Sequence, residues 1–140
     1  MSANFFLDTN ILVYSFDDGE PAKRDKAREL IEQALESRCG AISWQVAQEF
    51  MNVALHKWQK PMTPADSREY LQTVIHPLCA VYPSSKIWSA ALQISEESRY
   101  RFYDSLIVAA AIQSGSTILY SEDLQHGRQF GTLEIRNPFQ

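Results

Sequence analysis

Short apolar runs alternate along the chain with longer stretches in which apolar residues recur every three or four positions. The short runs predict buried strands, and in chain order they are NFFLD, AISW, LCAVY, TILY and LEIRN. The longer stretches have the spacing of amphipathic helices. Strands that alternate with helices need crossover connections, which favour a parallel sheet covered by helices on both faces. The pattern therefore predicts an α/β fold, a three-layer α/β/α sandwich with a mostly parallel central sheet of about five strands.

Capping residues indicate where several of the helices begin and end. The polar residues after NFFLD begin with Asp8 and favour a short helix, and Pro21 suits the first turn of a long one. Gly40 is expected to stop that long helix. Thr63 followed by Pro64 is typical of an N-cap and a first helical position.

The composition is that of an ordinary globular protein, with 45% hydrophobic and 21% charged residues in 140. This length suits one core, so we expect residues 1–140 to form a single domain. No apolar run approaches the roughly 20 residues of a membrane helix, and the N-terminus lacks a basic region and a small-residue cleavage site. We therefore expect a cytoplasmic protein with no membrane partner. The formal net charge of −4 argues against binding nucleic acid by bulk positive charge.

The helix expected between Tyr103 and Ser114 carries a carboxylate, Asp104, on its apolar face. The residues three, four, seven and eight positions beyond Asp104 are Ile107, Val108, Ala111 and Ile112. Residues at this spacing share one face of a helix. Because a buried unpaired carboxylate is costly, Asp104 either caps the helix or faces a positive charge.

Three further acids are expected near the same edge of the sheet. In open parallel sheets, ligands bind beyond the carboxyl ends of the strands. Asp8 follows the first strand and Asp123 follows TILY, while Glu49 lies one turn into the helix after AISW. Asp104 heads its own helix, so all of these side chains are expected to point at one volume.

Three of the acids also have a purely structural explanation. Asp8 can be an N-cap, Asp123 can begin a turn, and Asp104 gains from the helix dipole in a first turn. Glu49 is the hardest to explain in this way, because Val46 and Val53 flank it on an apolar stripe. It is also too far into its helix to be a cap.

Clustered carboxylates raise one another's pKa values unless a cation balances their charge. Oxygen ligands without histidine or cysteine in the pattern suit Mg²⁺ or Mn²⁺. Such ions promote in-line displacement at phosphorus, so the pattern indicates metal-dependent phosphodiester hydrolysis. With only five glycines, the chain has no glycine-rich phosphate loop, and it has no nucleophile-elbow motif.

Four segments, in this order, resemble the PIN-domain ribonucleases and, within them, the VapC-type toxins of toxin–antitoxin systems. The segments are FLDTNILVY, QVAQEF, YDSLIVAAAIQSG and ILYSEDL. The resemblance implies an acidic cluster that binds Mg²⁺ or Mn²⁺ and is catalytic in RNA cleavage, formed by Asp8, Glu49, Asp104 and Asp123. Among these, Asp8 and Asp104 look like the most direct metal ligands.

The resemblance also implies supporting residues and partners. The polar residues expected to support the site are Thr9, Asn10 and Ser121. Glu122 is an alternative fourth acid, but Asp123 is the better match. By the same resemblance, the chain is an endoribonuclease toxin that cleaves RNA, forms a homodimer and is silenced by a small antitoxin protein covering the active site.

Basic and aromatic residues are less specific signals. The charged face of the long helix is expected to be solvated, and its basic residues are Lys23, Arg24, Lys26 and Arg28. Arg99 and Arg101 precede Asp104 and are better candidates for contacts with RNA phosphates. The tryptophans expected in the core or at a dimer interface are Trp44, Trp58 and Trp88.

Two alternatives remain open on the sequence. A catalytically weak PIN-fold module would bind metal, RNA or a protein partner without cutting. A receiver-type phosphoacceptor also places acids at strand ends, but it needs an adjacent acidic pair after the first strand. Here Asp8 is followed by Thr9 and Asn10, so this second alternative is the weaker one.

Overall fold

A central sheet of six strands forms the middle layer in this computed structural model, which describes residues 3–140. The strands are β1 (Phe5–Leu7), β2 (Gly40–Ser43), β3 (Cys79–Val81), β4 (Ile118–Tyr120), β5 (Gln129–Phe130) and β6 (Leu133–Arg136). Their order is β3-β2-β1-β4-β6-β5, and every neighbouring pair is parallel except β5 with β6. The predicted α/β fold with a mostly parallel sheet is confirmed. The strand that the sequence does not predict is β5, which is too short to have a hydrophobic period of its own.

Seven α-helices and one π-helical segment are formed by the described residues. The α-helices are α1 (Thr9–Tyr14), α2 (Pro21–Ser37), α3 (Trp44–His56), α4 (Pro64–Tyr70), α5 (His76–Leu78), α6 (Ser85–Ser98) and α7 (Phe102–Gln113). The π-helical segment, Leu71–Ile75, joins α4 to α5. The predicted cap at Thr63 is confirmed, because its side chain accepts a hydrogen bond from the Asp66 N–H at 3.1 Å. Residues 1 and 2, which the expected domain includes, lie outside the described residues.

The long helix ends earlier than the sequence predicts. Gly40 is not its stop: α2 ends at Ser37, Arg38 adopts the left-handed conformation with φ of 60°, and Gly40 begins β2. A Cβ on Gly40 would overlap Ala34 and lie 2.9 Å from the ring of Phe5. Glycine therefore allows β2 to pass close to both α2 and β1.

The core lies between the sheet and the helices on its two faces. In the central strands, Phe6, Ile42 and Leu119 are fully buried. Helix α7 is buried over most of its surface, which explains its almost uninterrupted apolar sequence. The prediction is wrong for Ile112, the last residue of the predicted apolar face, which is 46% exposed. No helix within residues 3–140 is long and apolar enough to cross a membrane.

The order of the strands reverses direction at β1. The chain builds β2 and β3 on one side of β1 and then returns to place β4 and β6 on the other. The carboxyl ends of β1 and β4 therefore border a crevice, the usual position of a ligand site in such sheets. The strands pair in register from Phe5 with Ile118 to Leu7 with Tyr120, so Asp8 and Ser121 emerge side by side.

Replacing Gly40 with alanine should lower the free energy of unfolding by about 1–3 kcal/mol, because the added methyl group has no room beside Ala34. Urea unfolding followed by circular dichroism measures the change. The matched control is Gly19→Ala, whose methyl group would meet only the end of the Asp17 side chain, at 3.2 Å. That change should cost less than roughly 0.5 kcal/mol. Equal losses in the two variants would contradict the close approach as the cause.

Candidate active site

Asp8 lies at the head of the crevice, where β1 ends. It is 7% exposed, and its carboxylate accepts hydrogen bonds from the Thr9 N–H and from the Ser121 hydroxyl, each at 2.7 Å. The contact with Thr9 makes Asp8 the N-cap of α1, so the structural explanation of this residue holds. The cap uses one carboxylate oxygen and Ser121 contacts the other, so Asp8 also joins the ends of β1 and β4.

Burial raises the pKa of Asp8 from 3.8 to about 6. The hydrogen bonds from Ser121 and Thr9 act in the opposite direction, since they favour the charged form. The negative charges of Glu49 and Asp123 add to the increase. The site therefore withdraws a carboxylate from water and surrounds it with further negative charge.

Asn10 connects the start of α1 to the segment after β4. Its side-chain N–H group lies 3.1 Å from a carboxylate oxygen of Asp123 and 3.4 Å from the hydroxyl of Ser121. Its carbonyl oxygen accepts a hydrogen bond from the Glu122 N–H at 3.2 Å. One amide thus fixes the position of residues 121–123 relative to α1.

Glu49 is half-buried on α3 and is held by two donors. The Thr9 hydroxyl donates to one of its carboxylate oxygens at 2.6 Å, and the Gln45 amide donates to the other at 3.2 Å. The same amide lies 3.1 Å from the carbonyl oxygen of Tyr103, at the start of α7. Sequence reasoning missed Gln45, although its position one turn before Glu49 is the spacing at which helical side chains meet.

Asp104 is half-buried in the first turn of α7. Burial raises its pKa, the negative charge of Asp123 adds to this, Arg101 opposes it, and Glu49 raises it further. Among the hydrogen bonds and ion pairs within residues 3–140, none involves the Asp104 carboxylate. The residue is therefore neither a cap nor part of a close pair in the described structure.

Glu49 and Asp123 lie within electrostatic range of both Asp8 and Asp104, because their negative charges contribute to the raised pKa of each. In the described part of the chain, no three acidic, histidine or cysteine side chains are close enough to hold a metal ion by themselves. Mg²⁺ is usually bound by one or two carboxylates, and water completes its coordination. The oxygen donors and their uncompensated negative charge therefore fit a Mg²⁺ or Mn²⁺ ion with several water ligands.

Glu122, the alternative fourth acid, has its carboxylate engaged elsewhere. One oxygen accepts a hydrogen bond from the Tyr14 hydroxyl and the other pairs with the Lys23 ammonium group, both at 2.6 Å. Partial burial would raise the pKa of Glu122, but the bonds from Lys23 and Tyr14 outweigh it and the pKa is lowered. Lys23 therefore does not belong to the solvated face that the sequence predicts for α2.

A cleft of about 550 Å³ opens beside the acids, between α1, α3 and the segment after β4. Its walls include Thr9, Asn10, Glu49 and Asp123. Asn52 also lines it, one turn beyond Glu49 on the same helix, and sequence reasoning gave no reason to select it. Of the predicted acids, Glu49 and Asp123 are therefore open to a ligand from the outside.

The predicted basic residues are exposed at the start of α7. Arg99 follows the end of α6 in the left-handed conformation with φ of 65°. Arg101 is the residue before α7, and its charge acts on Asp104. Of the tryptophans, Trp44 and Trp88 are 44% and 52% exposed, so neither is a core residue. Both line an uncharged surface cavity of about 220 Å³, to which Tyr82 and Tyr103 also contribute.

Comparisons with known proteins match this fold over most of the chain. A family model described as PIN domain matches residues 5–129. The chain resembles a toxin–antitoxin complex from Klebsiella pneumoniae, with a TM-score of 0.67, 20% identity and coverage of 96% of this chain and 98% of that one. It also resembles VapBC2 from Rickettsia felis bound to a DNA fragment from their promoter (TM-score 0.65, 19% identity, coverage 95% and 97%). A third similar structure is FitAB bound to an IR36 DNA fragment, with a TM-score of 0.68, 19% identity and coverage of 97% of this chain and 96% of that one. No curated protein matches by sequence.

The metal-free protein should lose stability as the pH rises from 3.8 to about 6, because folded Asp8 holds its proton longer than unfolded Asp8 does. The contribution is fully present below this range and lost above it. A change in pKa from 3.8 to about 6 corresponds to about 3 kcal/mol. Urea unfolding in EDTA across this range measures the effect.

Asp8→Asn should remove most of this pH dependence, because the amide does not ionise yet can still cap α1. Asp66→Asn, which changes an exposed acid in the first turn of α4, should leave it in place. Parallel pH profiles for the wild type and Asp8→Asn would show that Asp8 is not the group responsible.

Proposed function

The chain belongs to the PIN domain family, a family of nucleases, and from this we propose that it is a divalent-metal-dependent endoribonuclease that cleaves RNA phosphodiester bonds. The observation that carries the proposal is the convergence of acids at the crevice between β1 and β4. Two of them, Asp8 and Asp104, are partly or fully withdrawn from water and have raised pKa values. This excess negative charge favours a bound cation.

We assign the metal to the acidic crevice, with Asp8 and Asp104 as the most direct ligands. Glu49 and Asp123 complete the acidic set, either as ligands or through water molecules. When bound, Mg²⁺ or Mn²⁺ would stabilise negative charge on the scissile phosphate and help to activate water. The carboxylates are proposed as catalytic because together they would hold that ion, and Glu49 and Asp123 also line the cleft.

The supporting residues orient these carboxylates. Ser121 donates to Asp8, Thr9 donates to Glu49, and Asn10 donates to Asp123. Each donor occupies an acceptor position that is available when the carboxylate is ionised. Both Glu49 oxygens accept hydrogen bonds, so the orientation of this carboxylate is fixed from two sides.

The RNA is expected to enter through the open cleft beside the acids. The site itself is negative, so phosphates must be attracted by cations and by nearby basic residues. Arg101 supports this role through its position before α7, and Arg99 lies two residues earlier. Cleavage of cellular RNA would place the protein's action in the cytoplasm.

One similar structure is a toxin–antitoxin complex and two others are VapBC2 and FitAB, and from these we propose that this chain is the toxin of a type II pair with a cognate antitoxin protein. We also propose that residues 1–140 act as a single PIN domain and form a homodimer. The exposed cavity lined by Trp44 and Trp88 supports the homodimer, because an uncharged aromatic surface can face a copy of itself without like-charge repulsion.

Asp104→Asn should abolish cleavage, because it preserves the shape of the residue and removes its charge. The measurement is cleavage of a pool of tRNA and other structured RNAs by purified protein with Mg²⁺, Mn²⁺ or EDTA. The matched control is Asp66→Asn, which also changes an acid in the first turn of a helix but lies on α4. We expect metal-dependent products from the wild type and this control, and none from Asp104→Asn.

Cleavage that persists at the wild-type rate in Asp104→Asn would contradict the assignment of this residue. Intact RNA in every sample, together with Mn²⁺ binding by the wild type, would favour the alternative of a catalytically weak binding module. Absence of both cleavage and Mn²⁺ binding would rule out the metal site.

Arg101→Gln should weaken RNA binding and make it less sensitive to salt, because one phosphate contact is lost. The slope of the logarithm of the binding constant against that of salt concentration should decrease in magnitude by about 0.7–1. Binding is measured in EDTA, where the RNA remains intact. Arg38→Gln is the control. Arg38 is also exposed, but it lies just before β2, at the amino ends of the strands and away from the acids. Equal effects of both changes would indicate general charge attraction instead.

A further inference from the structure

Tyr14, Lys23 and Glu122 form a closed cluster beside the acidic crevice. Besides their contacts with Glu122, the Lys23 nitrogen lies 3.4 Å from the Tyr14 oxygen. Tyr14 ends α1, Lys23 is in the first turn of α2, and Glu122 follows β4. The cluster therefore ties the segment that carries Ser121 and Asp123 to both helices.

Asp123 depends on its neighbours for its position. Its side chain is exposed, and within residues 3–140 its carboxylate accepts one hydrogen bond, from Asn10 at 3.1 Å. Its backbone N–H donates to Ser121 at 3.2 Å, and on either side of it the Glu122 N–H donates to Asn10 and the Leu124 N–H donates to Ser121. A carboxylate with so few contacts is placed mainly by its backbone.

Two aromatic rings also contact the Lys23 ammonium group of this cluster. The Lys23 nitrogen lies 4.8 Å from the centre of the Tyr14 ring and 5.7 Å from that of Phe139, distances at which a cation is attracted to an aromatic face. The Lys23 and Glu122 side chains are nevertheless 31% and 23% exposed. Ion pairs with this access to solvent contribute little to stability, so the main effect of the pair is on position.

We propose that Lys23 and Tyr14 are positioning residues for the metal site, which act through Glu122 to hold Asp123 at the acidic crevice. The inference rests on the proposed function, because it assumes that the crevice binds a divalent cation. It also makes Glu122 a weaker ligand candidate than Asp123, since the charge of Glu122 is already balanced by the Lys23 ammonium group at 2.6 Å.

Electrostatics alone predicts a different result from positioning. Removal of the Lys23 charge near an acidic site would raise the affinity for a cation, and removal of the uncharged Tyr14 hydroxyl would leave it almost unchanged. If the two residues position Asp123, both changes lower the affinity. The direction of the change in affinity therefore distinguishes the two explanations.

The test is calorimetric titration of the intact, metal-free protein with Mn²⁺. We expect Lys23→Met and Tyr14→Phe each to lower the Mn²⁺ affinity about 10-fold, the scale typical of residues that orient metal ligands. Lys23→Arg should restore most of the affinity. Lys26→Met is the matched control, because Lys26 pairs with Glu29 at 3.7 Å on the same helix, and it should bind Mn²⁺ like the wild type. Thermal midpoints should stay close to the wild-type value in all variants.

Unchanged or higher Mn²⁺ affinity in Lys23→Met and Tyr14→Phe would overturn the inference while leaving the proposed function intact. An equal loss in Lys26→Met would overturn it as well, because the effect would then follow from any lysine on α2. A wild-type protein that binds no Mn²⁺ would overturn the proposed metal site and, with it, this inference.

Discussion

The withdrawal of Asp8 from water is the constraint on which the site depends. Parallel pairing of β1 with β4 brings its carboxylate beside Ser121, where burial raises its pKa to about 6. Two hydrogen bonds offset part of this cost, while the neighbouring acids Glu49 and Asp123 increase it. The described protein thus keeps a carboxylate where its charge is poorly compensated. A carboxylate in such an unfavourable position is typical of ligand-binding sites, because a bound ligand of opposite charge stabilises the folded protein.

Much of the fold could be predicted because its signals are local. The apolar runs that predict β1 to β4 and β6 each overlap a strand, and caps such as Thr63 mark helix starts. The errors arise where tertiary contacts decide the outcome. Gly40 is a glycine because two neighbouring elements approach it closely, which a helix-stop rule does not consider. Ile112 continues the period of α7 but lies beyond the surface that the sheet covers.

The acids of the candidate site could also be selected from sequence, because strand ends and helix starts of a parallel sheet meet at one edge. Their supporting contacts could not. Asn10 and Asp123 are 113 positions apart, and Lys23 and Glu122 are 99 apart, so no local pattern connects them. Gln45 is the exception, since helical spacing alone brings it to Glu49.

The two sides of the crevice come from opposite ends of the chain. Ser121 lies 113 positions after Asp8, so the ribosome makes the two sides at very different times, and β4 must pair with β1 before they meet. Such long-range parallel pairing is intrinsically slow to form. An incomplete nascent chain therefore lacks an assembled site, and a product truncated before β4 cannot form one. Any activity of this crevice is thereby delayed until the ribosome has made β4 and β4 has found its place beside β1.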